Sequence, residues 1–469
     1  MKMWSGRFHQ SLDPQFEHWQ RSFDFDRRLL RYELAASAAH ARALKNAGVL
    51  SADELISILE GLQKTGEEAV ASKGLVDDAE AEDVHHFVEK QLVARIGDVG
   101  YKLHSGRSRN EQIATDLRLY VRAAIDQLRT ELAELCSVLA ERAEQAGTAA
   151  MPAYTHLQHA EPVLIGHWLL AYVEMFIRDA DRLADCRRRM NVCPLGSGAV
   201  AGATLPLDRP FMAQGLDFSG PTANSIDATS DRDFALEFVN ALSFVSLHLS
   251  RWAEEMIIFS VQEFGFVKLP EAYSTGSSAM PQKKNPDLLE LVRGKTGRVI
   301  GNATALAVTL KGLPLAYNKD LQETQEPLFA ATDTVLSLLP LVAGWMAAVE
   351  FDEPRMRHAA QSGFMNAWAA ATYLVKRGVP SRVAHEQIGK AVKLCLEKTC
   401  ELQDLPLEEL RAINPEFSEN FYECLKLEAV LAMHDVVGGT APNRVRQAVV
   451  AARQKIQTLR EEVNLHAHA

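Results

Sequence analysis

Glu111–Gln145, EQIATDLRLYVRAAIDQLRTELAELCSVLAERAEQ, decides the fold class. Its apolar residues Ile113, Leu117, Val121, Ile125, Leu128, Leu132, Leu135 and Leu139 recur every three or four positions, so they share one face of a helix. No proline or glycine interrupts the run before Gly147. At ~1.5 Å per residue such a helix is ~50 Å long, far beyond the average in globular proteins. Working outward, Pro162–Met190, Asp231–Phe264, Asn285–Lys311 and Glu326–Glu350 carry similar patterns. Within Phe234–Phe264 the apolar positions Phe238, Val239, Leu242, Val245, Leu249 and Trp252 cover more than one face. A helix apolar nearly all round is buried among other helices or between subunits. The expectation is therefore a mainly α protein with a long central helical bundle shared between subunits.

Strand signals are few, and runs such as Phe264–Leu269 are too isolated to predict a sheet. Gly97, Gly100 and Gly106 punctuate the end of a smaller N-terminal unit. A C-terminal unit begins near Asp352–Pro354, and Gly438–Asn443 announces a last helix capped by Thr440 or Asn443. The chain thus divides into an N-terminal helical domain (1–106), a central bundle (107–355) and a C-terminal helical domain (356–469). The closing Leu465–Ala469 reads as a loose tail.

Composition sets the broad class. Of 469 residues, 47% are hydrophobic and 24% charged, which is enough chain for a large core without disulfide or metal staples. Six cysteines lack CxxC spacing and read as buried reduced thiols. The N-terminus turns polar at once, and no stretch of about 18 uninterrupted apolar residues occurs. Cytoplasm is the expected compartment. A formal net charge of −11 argues against nucleic acid or an anionic membrane as partner.

Chemistry concentrates in Ser274–Asp287, STGSSAMPQKKNPD, between the third and fourth long helices. Asn285 is positioned to cap the following helix, with Pro286 at its first position. The string lacks the G-x-S-x-G of a nucleophile elbow and the G-x-x-x-x-G-K-[ST] of a phosphate loop. It resembles the signature of the fumarase/aspartase superfamily, G-S-S-x-M-P-x-K-x-N, and its QKKNPD ending resembles the argininosuccinate lyase branch. Further blocks match in family order. They are Trp4–Phe8, Glu82–His85, Lys102–Asn110 (KLHSGRSRN), Thr155–Gln158, Leu195–Ala199, Asp227–Asp233 and Gly438–Pro442. The resemblance spans essentially the whole chain. It implies a homotetramer with a 20-helix core and active sites built from three subunits.

The same resemblance implies an activity: argininosuccinate is split reversibly into arginine and fumarate, the last step of arginine biosynthesis, with no cofactor. It makes Ser277 the base and Lys283 the stabiliser of the carbanion, while His156 and its partner Glu290 form the acid side. Ser108, Arg109, Asn110 and Asn285 match residues that approach the substrate, with Asp83, Thr155, Tyr317, Gln322 and Arg232 as further matches. These residue types suit the reaction. Removing a proton beside a carboxylate builds a dianion, which demands fixed cations, a base and an acid. A charge pair at ~4 Å and an effective dielectric of ~20 is worth about 4 kcal/mol. Realised in the transition state alone, that is a rate factor of up to about a thousand.

Glu82-Asp83-Val84-His85-His86 is too weak a pattern to predict a metal, and Gly196-Ser197-Gly198 lacks the βαβ context of an NAD site. Two positions depart from the family pattern: Gln325 stands where many members have Lys, and Asp24 where many have a small hydroxyl residue. Both concern how the arginine half is held. The competing readings are another fumarate-releasing lyase acting on a different N-substituted aspartate, and a non-catalytic crystallin-like relative.

Overall fold

The computed structural model describes residues 10–77 and 79–467. The Trp4–Phe8 block and the last two residues of the expected tail lie outside them. Five long helices form the frame: Arg109–Gln145, Ile165–Met190, Asp233–Ser260, Asp287–Leu310 and Gln325–Ala348. They agree with the expected spans except at their ends. Residues before Ile165 belong to a hairpin, Ala150–Thr155 with Gln158–Leu164, because a helix cannot start until the chain has turned back at His156-Leu157.

The 37-residue helix Arg109–Gln145 begins with a capping box. Ser108 accepts the Asn110 N–H, and Glu111 reaches back to the Ser108 N–H. Ile113, Leu117, Val121, Ile125, Leu128, Leu132, Leu135 and Leu139 are all buried in one cluster with residues of the other long helices. Burying each such side chain contributes roughly 1.5–3 kcal/mol. Gln325–Ala348, with the turn before it, is apolar and long enough to cross a membrane by composition. It sits instead in this core, where Trp345 meets Trp252 edge-on with centroids 5.1 Å apart.

A second cluster lies within residues 364–425, and a third joins Phe23 and Leu44 to Leu62, Phe87 and Leu103. The last helix, Pro442–Ala467, returns to the central bundle, placing Val445, Val449, Ile456 and Val463 in its core. Leu465 is thus helical, not part of a loose tail. Neither expected cap serves that helix: Thr440 accepts the Leu164 N–H at 2.8 Å, and Asn443 donates to Asp435. Phe264–Leu269 does find a partner, since Val267–Lys268 pairs with Glu350–Phe351. All six cysteines are free.

Candidate active site

Where the long helix starts, a cavity of about 160 Å³ opens between four segments. The Val84–Ile96 helix is capped by Asp83, whose Oδ1 accepts the His86 N–H at 2.7 Å. Its Oδ2 accepts from Arg109 Nη1 at 3.0 Å. Burial opposes charge on Asp83, but His85 and Arg109 outweigh it and hold the carboxyl well below the usual range. Ser22 and Asp26 close another wall. Asp26 accepts the Val84 N–H at 3.0 Å and the Ser22 hydroxyl at 2.6 Å, and burial followed by the nearby Asp83 pushes it up to about 7. Asn110, Tyr317, Gln322 and Gln325 complete the lining. Gln322 donates to the Gln20 carbonyl, while the buried Gln325 has an amide oxygen with no partner. A larger hollow of about 360 Å³, lined by Pro162, Asn366 and Lys426, gathers fewer charged groups.

The Gly196–Gly198 block supports this end of the long helix. Gly198 donates to Glu111 at 3.1 Å, and both glycines have positive φ. A Cβ on Gly196 would come within 2.6 Å of the Arg209 side chain, so only glycine fits.

Chemistry of a different kind gathers at the other end of the bundle. His156 and Leu157 form the two-residue tip of the hairpin, both in the left-handed region (φ 55° and 56°). Two non-glycine residues there are strained, and such strain is found where a side chain must be presented. Thr155 and His156 are exposed. Nearby, Thr275–Gly276 pairs with Lys284–Asn285 and closes the loop carrying Ser277 and Lys283. The Ser277 hydroxyl oxygen accepts the backbone N–H groups of Ala279 (3.3 Å) and Met280 (3.1 Å). Lys283 is exposed and pairs with no carboxylate among the described residues. Asn285 does not cap the next helix; its amide turns back toward Thr275 and Gly276, and Pro286 occupies the cap. Aromatic contacts of Tyr154 with Phe259 and Phe264 put the hairpin and the approach to this loop at the same end.

A profile described as a lyase matches residues 6–301, and one described as the argininosuccinate lyase C-terminal region matches 364–432. The argininosuccinate lyase of Koribacter versatilis is 59% identical over 467 residues, covering 100% of both chains. That of Heliobacterium mobile is 50% identical, covering 97% of this chain and 99% of its own. The chain belongs to the argininosuccinate lyase family. Among solved structures, an EDDS lyase in complex with formate superposes with TM-score 0.87 at 25% identity, over 98% of this chain and 93% of that one. A class II fumarase from Schistosoma mansoni shares the fold, with TM-score 0.72 at 16% identity over 85% of this chain and 90% of its own.

Set against the argininosuccinate lyase pattern, the expected residues fall into two groups. Asp83, Arg109, Asn110, Tyr317 and Gln322 line one cavity, with Ser108 at its edge as a helix cap. Thr155, His156, Ser277, Lys283, Asn285 and Glu290 lie at the opposite end, and no ion pair joins His156 to Glu290 within the described residues. Arg232 is fully buried and bonded to the Asp231 carbonyl; burial and then Arg118 lower it to about 10. It faces Tyr317 electrostatically without lining the cavity. Asp24 is exposed and is not among the residues lining the cavity, whereas Ser22 is. Ser22, Asp26 and His85 line the cavity and were not singled out as site residues. Within Glu82–His86 only Asp83 matches the family's substrate contacts, and Ser22 and Asp26 carry no local signal beyond sharing one face at i and i+4. Among the described residues, ligand spacing for a metal occurs at Glu33, His85 and Asp116, with no part played by His86.

Proposed function

We propose that the chain catalyses the reversible elimination of arginine from argininosuccinate to give fumarate, as the last step of arginine biosynthesis in the cytoplasm. Full-length identity of 59% to argininosuccinate lyases carries this reading. Ser277, as alkoxide, takes the proton from the carbon beside a substrate carboxylate. The two backbone N–H groups on its oxygen favour that ionised form. Lys283 sits against the developing dianion. The C–N bond then breaks, its electrons leave on the guanidino nitrogen, and His156, oriented by Glu290, protonates that nitrogen. Ser108, Arg109 and Asn110 hold carboxylates, Arg109 through its forked donors, and Thr155 and Asn285 add further substrate contacts. Asp83, Tyr317, Gln322, Gln325 and the more remote Arg232 serve the remainder of the substrate.

Geometry makes the working unit an assembly. Arg109 opens a helix of 37 residues, about 55 Å long, and His156 lies beyond its far end. One chain therefore cannot bring both to one substrate. A homotetramer with sites shared between subunits can, and apolar side chains left 39–56% exposed on the bundle helices (Leu247, Leu291, Ile300, Val308, Leu341) suit such contacts. The domain division at residues 106 and 355 belongs to the same reading.

A steady-state assay in metal-free, nucleotide-free buffer, following fumarate absorbance, tests the proposal. Release from argininosuccinate supports it. Release only from another N-substituted aspartate, the substrate type that an EDDS lyase likeness suggests, or an inactive tetramer, overturns it.

A further inference from the structure

Behind the cavity wall lies a chain of buried charged groups. His85 Nε2 is 3.1 Å from Asp116 Oδ2 and 3.7 Å from Glu33 Oε2, while its Nδ1 faces Asp83 Oδ1 at 3.8 Å. Asp83 in turn holds Arg109. Glu33 and Asp116 are fully buried, and one oxygen of each, Glu33 Oε2 and Asp116 Oδ1, has no donor. Ligating atoms of Glu33, His85 and Asp116 all lie within 4.8 Å of one another. Two buried carboxylates close enough to interact directly cannot both stay ionised without a large penalty.

We propose that Asp116 and Glu33 share a single proton behind His85, and that this pair, through His85 and Asp83, positions Arg109 in the cavity. The second half rests on the function proposed above; the first does not.

Hydrogen bonding locates the proton. Glu33 Oε1 already accepts the Ser37 hydroxyl at 2.6 Å and the Gln112 amide at 3.0 Å, and Arg107 stands 3.7 Å away, so the negative charge belongs on Glu33. The proton then sits on Asp116 Oδ1 and is donated to Glu33 Oε2, which satisfies both orphan oxygens. Asp116 Oδ2 is left free to accept from His85. Burial and then Glu33 push Asp116 well up, in keeping with a neutral acid. Burial opposes charge on His85, but Glu33, Asp116 and Asp83 together keep it an imidazolium. With Asp116 neutral, the anions Glu33, Asp83 and Glu82 stand against the cations His85, Arg107 and Arg109. Other titratable or charged groups facing this cluster are Arg107 and the His104 imidazole, which burial lowers to about 4, from the turn before the long helix, Asp26 across the wall, and Glu82 and His86 beside Asp83 and Arg109. Asp116 and Glu33 touch no substrate in this scheme, so both are positioning residues.

The test compares Asp116→Asn with Asp116→Leu in the intact enzyme. Asparagine can still donate to Glu33 and accept from His85, whereas leucine can do neither. With argininosuccinate at pH 7, kcat/KM should fall about threefold in the former and about thirtyfold or more in the latter. The alkaline limb of the pH profile should move upward in Asp116→Asn, because its amide has no proton to lose. An infrared difference spectrum of wild type against Asp116→Asn should lose one protonated-carboxyl band. Three results overturn the proposal: no such band, a loss in Asp116→Asn as large as in Asp116→Leu with an unchanged pH profile, or a stoichiometric divalent metal in the purified enzyme. If Asp116→Leu does not fold, the Asp116→Asn spectrum and profile decide alone. If wild type does not act on argininosuccinate, the function reading falls while the infrared band still decides the shared proton.

Discussion

At the Arg109 end of the long helix, Asp83, Asp26, His85 and Arg109 hold one another inside a single chain. At the Gln145 end, Thr155, His156 and Lys283 stand exposed on a hairpin tip and a loop. The groups proposed for recognition are thus pre-organised by burial, while those proposed for proton transfer are exposed or, at Ser277, half-buried. Cost follows the same division. The buried end stores desolvated charge that only mutual pairing offsets; the presenting end stores backbone strain at His156 and Leu157.

Changes at the two ends should therefore separate activity from stability. The largest effect is expected from Ser277→Ala: a fall in kcat of about a thousandfold or more, with the thermal midpoint unmoved, because the side chain supports only its own loop. Stopped assays beside calorimetry check this, and near-normal turnover would remove Ser277 from the chemistry. Arg109→Gln should cost about a hundredfold in kcat/KM, and it should also lower stability by freeing Asp83. Gln325→Leu should raise KM about tenfold through loss of an unpaired buried acceptor, with kcat little changed; an unaltered KM would exclude contact with substrate.

The smallest effect concerns stability alone. His40 is buried and neutral, lowered to about 3 first by burial and then by Arg107. Its folded value lies below the unfolded one, so the stability it allows is present above about pH 6.5 and is lost as pH falls toward 3. By pH 5 this amounts to about 2 kcal/mol. Urea unfolding of His40→Gln at pH 7 and pH 5 should show that much less acid sensitivity than wild type.

Much of this was readable in advance, for a physical reason. Apolar spacing over Glu111–Gln145 leaves no alternative to a long buried helix, and the GSSAMPQKKN string is too specific to arise as a generic loop. Caps were harder: Asn285, Thr440 and Asn443 have cap chemistry but use it on other partners, a choice made by tertiary contacts. Ser22, Asp26 and Glu33 meet His85 and Asp116 from separate parts of the chain, so nothing local marks them. The hairpin before Ile165 is not legible in the sequence because Pro162–Leu164 shares its apolar character with the helix that follows.

Mixing separately inactive Arg109→Gln and Ser277→Ala subunits, after reversible dissociation and reassembly, tests the central claim most directly. If each site draws its two halves from different copies, roughly a quarter of sites in a 1:1 mixture carry neither lesion, and activity returns in that proportion. Activity that stays at the level of the separate mutants would mean that one chain supplies both halves, and the account would fail.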